Sequence, residues 1–219
     1  MANLTLLSYK TSMTIKDRKA RHKQLLRQEI LDAAREIFVK EGYGRLSMRR
    51  VADKIDYSPT AIYLHFRDKQ DLVFSLCEES FGRLVRELEA LDSEADPGVR
   101  LKLGMRRYVD FGLKNPQHYL ATFVAPHGDG ADPKLAAKFQ GENTMGMRAL
   151  AILRQRVEEY ASAKKLRRLD VDTATRALWS AIHGITSLLI VFPAFPWGDS
   201  EAVIVTLIDA SVNGLCSSR

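Results

Sequence analysis

The sequence predicts an all-α chain in two parts, a small three-helix unit near the N-terminus and a larger helical bundle after it. Three observations carry this expectation. Apolar residues recur at intervals of three and four along successive segments, which puts them on one face of an α-helix, and no segment alternates apolar with polar residues as a half-buried strand does. Residues that favour helix N-termini, Ser47 and the pair Ser58-Pro59, stand where two of those segments begin. The charge is lopsided. Residues 1–69 hold 15 Lys and Arg against 8 Asp and Glu, whereas residues 70–219 hold 18 against 19. The net charge of +6 therefore resides at one end, which suits a polyanionic partner there and leaves a near-neutral remainder for a separate task.

Each element follows in order. Residues 1–24 reach the run Lys16, Arg18, Lys19, Arg21 and Lys23, and read as a basic N-terminal arm suited either to solvent or to DNA phosphates. From Leu26 a helical face appears through Ile30, Ala33, Ala34, Ile37 and Phe38, and Glu41-Gly42 ends it. Ser47 caps a second, short helix with Val51, Ala52 and Ile55 inward. Asp56-Tyr57 supplies a turn, for which Asp tolerates the left-handed backbone. Ser58 caps a third helix with Pro59 at its first position, where the missing N–H costs nothing, and Ile62 and Phe66 point inward. These helices give a first unit over residues 25–70, leaving 71–219 for the bundle. A long helix begins at Asp68 and carries Leu72, Leu76, Leu84, Leu88 and Leu91 out of the first unit. The rest reads as helices over 97–114, 116–125, 133 to about 165, 170–192 and 200–215.

Several classes are disfavoured. Cys77 and Cys216 lie far apart without a CxxC spacing, so neither a zinc site nor a disulfide framework is indicated and a reducing compartment fits. Leu4 to Leu7 is too short for a signal-peptide core. The uncharged run 177–195 approaches the length of a membrane span, but it contains Ser180, His183, Gly184, Thr186, Ser187 and Pro193 with no basic cluster beyond it, and reads as a buried or subunit-interface helix; no membrane partner is expected. The turn containing His127, Asp129 and Asp132 reads as polar loop rather than metal site. No nucleophile elbow, phosphate loop or metalloprotease motif is present, so no catalytic residues, metal or cofactor are expected. Rival readings are a helical small-molecule carrier or enzyme whose basic end only aids folding, and a redox sensor through Cys77, which lacks a nearby resolving cysteine.

A more specific signal is the stretch RQEILDAAREIFVKEGYGRLSMRRVADKIDYSPTAIYLHFRDKQDL, with Ala33-Ala34 and Phe38, Gly42-Tyr43, Leu46-Ser47-Met48-Arg49, Val51-Ala52, and Ile62-Tyr63-Leu64-His65-Phe66 followed by Lys69 and Leu72. It resembles the DNA-binding domain of the TetR repressor family. It departs from that pattern at Asp56, where Gly is common, and at Pro59-Thr60, where a basic residue and Gly are frequent. The resemblance implies a helix-turn-helix DNA-binding domain followed by a helical-bundle ligand-binding and dimerisation domain. It implies a cytoplasmic homodimeric regulator, most often a repressor, that holds a palindromic double-stranded DNA operator and is released by a small effector. In a helix-turn-helix the start of the second motif helix enters the major groove, so Ser58, Pro59, Thr60 and Ala61 are expected at base edges. Ser47, Met48 and Arg49 open the preceding helix, from which Arg49 would reach a guanine edge or a phosphate. Tyr63, His65 and Lys69 correspond to family positions that hold the DNA backbone.

For the bundle, Met105, Tyr108, Phe123, Met145, Trp179 and His183 form an aromatic and Met-rich set suited to line a cavity for an apolar effector, in which a permanently charged ligand would lack a partner. Trp179 and His183-Gly184 are similar to the Trp-His-Gly signature of one subfamily. The last two helices are apolar around much of their circumference and are expected to pair in the dimer, with Leu189 and Ile204 as interface positions.

Overall fold

A computed structural model describes residues 14–123, 133–166 and 169–217, and the described residues form α-helices joined by turns and three single-turn 3-10 helices. The first unit contains α1 (Ile15–Glu41), α2 (Met48–Lys54) and α3 (Pro59–Tyr63). The bundle contains α4 (Lys69–Glu89), α5 (Pro97–Lys114), α6 (Pro116–Phe123), α7 (Pro133–Phe139), α8 (Met145–Ala163), α9 (Val171–Val191) and α10 (Ser200–Gly214).

The helix ends expected from the sequence at Gly42, Ser47, Ser58 and Asp68 stand where they were read. Gly42 stops α1 with φ +80, and the hydroxyls of Ser47 and Ser58 accept hydrogen bonds from the Arg50 and Ala61 amides. Two element boundaries differ. α1 begins eleven residues before Leu26, so residues 15–24 are not a separate arm but a basic continuation of the helix. Thr14 and Asp17 cap it reciprocally, Asp17 accepting from the Thr14 amide at 3.0 Å and Thr14 Oγ1 from the Asp17 amide at 3.1 Å. Residues 15–25 are exposed, so no apolar periodicity marks them as helical. The helix expected over 133–165 is two, because Thr144 starts α8 afresh, its hydroxyl accepting from the Met147 amide at 3.2 Å. The turn carrying His127, Asp129 and Asp132 lies outside the described residues.

Two cores form. The first gathers Ile30, Phe38, Leu46, Met48, Val51, Ile62 and Phe66 of the small unit, and continues through Leu72, Val73, Leu76 and Cys77 of α4 to Ala121 and Leu135 of α6 and α7. The second packs Phe81, Leu84 and Leu88 of α4 against Leu101, Met105 and Val109 of α5, Val157 and Tyr160 of α8, Leu178, Ile182 and Ile185 of α9, and Ile204, Ile208 and Val212 of α10. α4 therefore belongs to both cores, and α6 and α7 dock the bundle onto the small unit.

α9 is long and apolar enough by composition to cross a membrane, yet Leu178, Ile182 and Ile185 on one side of it are buried against α5, α8 and α10. Ile204, expected at a subunit interface, is 2% exposed and faces its own core; Leu188, Val191 and Val205 are the exposed large apolar residues on these helices. Leu189 is half-buried.

Candidate DNA-binding surface and ligand cavity

α2 and α3 are joined by a tight turn in which Asp56 takes φ +57 and the Tyr57 amide donates to the Ala52 carbonyl at 3.0 Å. This left-handed step aims the start of α3 away from the core. Ser58, Pro59 and Thr60 are exposed, Ala61 is half-buried, and Tyr63 is exposed at the end of the same helix. Ile62 anchors α3 from beneath. The expected base-reading residues thus share one outward edge.

The flanking residues divide. Arg49 is extended into solvent, its closest carboxylate being Asp53 at 4.0 Å. Arg50 is held by both oxygens of Glu41 at 2.8 Å and donates to the Arg45 carbonyl at 2.9 Å, so it braces α1 against α2. Met48, counted among the DNA-contacting residues from the sequence, is 5% exposed inside the first core; as the first residue of α2 it points inward with Val51 and Ala52. Ser47 is half-buried, with its hydroxyl engaged in the cap. His65 is half-buried beyond α3, and burial, with Lys23 and Arg27 nearby, holds its imidazole below the ordinary histidine range. Lys69 places its ammonium 3.8 Å from the Tyr43 ring centroid at the start of α4.

In the bundle a cavity of about 250 Å³ lies between α4, α5, α6, α7, α8 and α9. Met105, Tyr108, Phe123 and Trp179 are among the residues around it. His183 stands behind this wall. Its Nδ1 lies 3.2 Å from the Tyr108 hydroxyl and 2.7 Å from that of Tyr119, and its ring stacks on Tyr119 and meets Trp179 at 5.1 Å. Burial lowers the His183 pKa from the ordinary histidine value and pushes the Tyr108 phenol up to about 12. The hydrogen bonds of His183 and of the Tyr119 hydroxyl hold the aromatic wall in place. Met145 does not line the cavity: it sits exposed at the start of α8, while Gly146 and Met147 of that turn line it instead.

The sequence reading missed the polar members of the lining, Thr122 and Thr144 and three larger ones. Glu78 and Gln140 lie at the end near the small unit, and Arg156 lies at the other. The Arg156 side chain is 7% exposed and bonds to Asp92 and, at 3.5 Å, to Glu159. Its partner Asp92 is 64 residues away, so no local pattern announces the pair. Cys77 is fully buried with its thiol pushed up to about 12, which leaves almost no thiolate for redox chemistry.

The two units meet through α6 and α7. The buried His118 ring packs edge-on against Phe38 at 5.2 Å, and the His118 carbonyl accepts a bond from the Cys77 thiol at 3.8 Å. Within the bundle, Lys138 of α7 bridges to Asp71 in the first turn of α4 at 2.9 Å, close to this junction.

Residues 30–76 match the family described as bacterial regulatory proteins, tetR family, and residues 101–210 match the tetracyclin repressor-like C-terminal domain. Among curated relatives, the HTH-type transcriptional activator FasR of Mycolicibacterium smegmatis is 29% identical over 113 residues, 51% of each chain. The fatty acid metabolism regulator protein of Bacillus subtilis is 29% identical over 93 residues, 42% of this chain and 47% of that one. The chain thus spans about half the length of these relatives. In fold it is similar to the Bacillus subtilis transcriptional regulator FadR in complex with stearoyl-CoA, with TM-score 0.70 and 21% identity over 85% of this chain and 98% of that one.

Proposed function

The chain belongs to the TetR family of bacterial regulatory proteins, and we propose that it is a cytoplasmic DNA-binding transcriptional repressor, a homodimer on a palindromic operator released by a small effector with an extended apolar part. The observation that carries this reading is the double membership of α4. Its first turns, with Leu72, Val73, Leu76 and Cys77, are part of the core beneath the recognition helix, and its later turns, with Phe81 and Leu88, are a wall of the cavity. Filling the cavity then bears on the helix that seats α3.

Ser58, Pro59, Thr60 and Ala61 read base edges, Arg49 and Tyr63 flank them, and Lys69 and the basic first turns of α1 favour phosphates. A two-fold dimer sets two recognition helices roughly 34–36 Å apart, one DNA turn, or a multiple of it. An effector that favours a conformation with another spacing lowers operator affinity. Moving the balance from 1:99 to 99:1 takes about 5.5 kcal/mol of preference. The predominantly apolar lining supports a hydrocarbon ligand, and the stearoyl-CoA of the structurally similar FadR and the fatty acid regulator among the relatives support an acyl chain. An enzymatic role has no support in the side chains around the cavity.

The test has two steps. Selection of bound DNA from a random pool should recover a palindrome, and recovery of no preferred sequence would overturn the regulator reading. Long-chain acyl compounds should then release the protein from that DNA, and Trp179→Ala should weaken both binding and release. Unchanged release in a folded Trp179→Ala variant would take the effector out of this cavity.

A further inference from the structure

The first turns of α1 carry charges that work against their own helix. Residues 15–25 are exposed and belong to neither core. From Arg18 to Gln28 no side chain is acidic, and Arg18, Lys19, Arg21, Lys23 and Arg27 crowd that interval. The amide end of a helix is its positive end, so cations in the first turns are repelled by it. Like charges four residues apart, as at Lys19 and Lys23 and at Lys23 and Arg27, oppose the helix as well. An unpacked helix of this length is marginal in water, and the Thr14–Asp17 cap works against these costs. A polyanion laid along the helix would remove both repulsions.

We infer that α1 carries a second DNA contact, a stripe of Lys16, Lys19 and Lys23 that lies along the phosphates flanking the base pairs read by α3. This rests on the reading of the chain as a DNA-binding regulator. At about 100° per helical residue, Lys16, Lys19, Lys23 and Arg27 fall within about 80° of one another, whereas Arg18 and Arg21 stand on the opposite side. The base of the stripe is anchored. The Arg27 guanidinium lies over the Phe66 ring at 4.6 Å from its centroid and donates to the Ser75 hydroxyl at 3.4 Å. Next to Phe66, burial lowers the pKa of His65, and the charges of Lys23, Arg27 and His22 add to that effect, which places them close by. The stripe therefore begins beside the turn between α3 and α4 and runs outward from it.

Lys16, Lys19 and Lys23 are exposed and, among the described residues, have no carboxylate partner. From Lys16 to Arg27 the helix covers roughly 16 Å at about 1.5 Å per residue, a length over which duplex DNA presents about ten phosphates. The opposite side is not an apolar face. It carries Arg18 and Arg21, with Leu25 and, at the tip, Ile15 as exposed large apolar residues, so it lacks the broad hydrophobic face by which an amphipathic helix enters a lipid surface. Charge without such a face fits the backbone of a nucleic acid. Because α1 continues unbroken into the first core through Ile30 and Phe38, a hold on the stripe also orients the unit that seats α3.

The test uses the full-length protein and two duplexes, the palindrome recovered by selection and the same palindrome lengthened by about ten base pairs at each end, roughly one further turn. Wild type should bind the longer duplex at least about tenfold more tightly at low salt. Lys19→Gln with Lys23→Gln, at exposed positions outside both cores, should lose that gain. It should also reduce the log–log salt slope by about 3 to 4, at roughly 0.9 for each of four phosphate contacts in a dimer. Arg18→Gln with Arg21→Gln, an equal change of charge on the other side, should keep most of the gain. Ala20→Pro keeps every charge but breaks the helix, and should lose it. Equal losses from the two double variants overturn the stripe, and a gain that survives Ala20→Pro overturns the helical contact in favour of a flexible arm. Wild type that binds both duplexes alike overturns the flanking contact while leaving the regulator reading intact, whereas recovery of no palindrome overturns that reading too. Lysine-dependent binding to phosphatidylglycerol vesicles in place of the flank effect assigns the stripe to a lipid surface and overturns the DNA contact.

Discussion

Thr60 and His118 show how single side chains carry the two tasks of the molecule. Thr60 stands exposed on the second position of α3, with a hydroxyl to donate or accept and a methyl to meet thymine. Thr60→Ala should change preference at one symmetric pair of operator positions by about 1–3 kcal/mol. Competition binding across single-base operator variants checks this, and identical relative affinities would remove Thr60 from base readout. His118 is 2% exposed, and neither ring nitrogen has a hydrogen-bond partner among the described residues. Burial, reinforced by Arg83 and Arg35, lowers its pKa to about 4 from the usual 6.5. The unfolded chain therefore binds the proton first as pH falls, and stability present above about pH 6.5 is lost towards pH 4, by up to about 3 kcal/mol. Denaturant titrations over this range should show that slope in wild type and a flatter one in His118→Leu; the same slope in both proteins would assign it to other groups.

At the scale of elements, the crossing of α5 and α9 is set by Gly112. A Cβ there would lie 2.3 Å from the Thr186 methyl and 3.1 Å from the Tyr119 ring. The Thr186 hydroxyl is fixed on the Ile182 carbonyl at 2.6 Å, so that methyl cannot easily turn aside. Gly112→Ala should destabilise the bundle by about 1–3 kcal/mol through overpacking, read as a lower urea midpoint. An unchanged midpoint would show that the helices separate at little cost. The displaced Tyr119 would also disturb the His183 network and with it the aromatic wall of the cavity. The same scale explains α1. Its first turns hold themselves by the Thr14–Asp17 cap and by helix-favouring Lys, Arg and Ala residues, without packing against the core.

At the scale of the whole molecule, Leu188, Val191 and Phe192 on and after α9, Phe195 in the following turn, and Val205 on α10 leave a large apolar surface in water. Such a surface marks an association face, and a two-fold partner on it would set the spacing of the recognition helices. Leu188→Asp combined with Val205→Asp should yield monomers by sedimentation and abolish tight operator binding, because a charge in that interface would have no partner. A variant that remains a dimer and binds the operator normally would move the interface elsewhere.

The sequence by itself determined whatever depends on neighbours along the chain. Helical periodicity, the caps at Ser47, Ser58 and Asp68, the stop at Gly42, the left-handed turn at Asp56 and the basic first third are all local, and with the family resemblance they specified the fold and the outward edge of α3. Met105, Tyr108, Phe123 and Trp179 were legible as cavity candidates because apolar rings and thioethers at helical spacing face inward wherever the helices pack. Only the tertiary structure decided which inward residues meet empty space. It moved Met48 and Ile204 into cores, Met145 to the surface and His183 behind the wall, since a helix's rotation about its axis is fixed by the other helices it touches. It also brought Arg156 to Asp92 and Lys138 to Asp71, contacts between residues so distant in the chain that only packing brings them together.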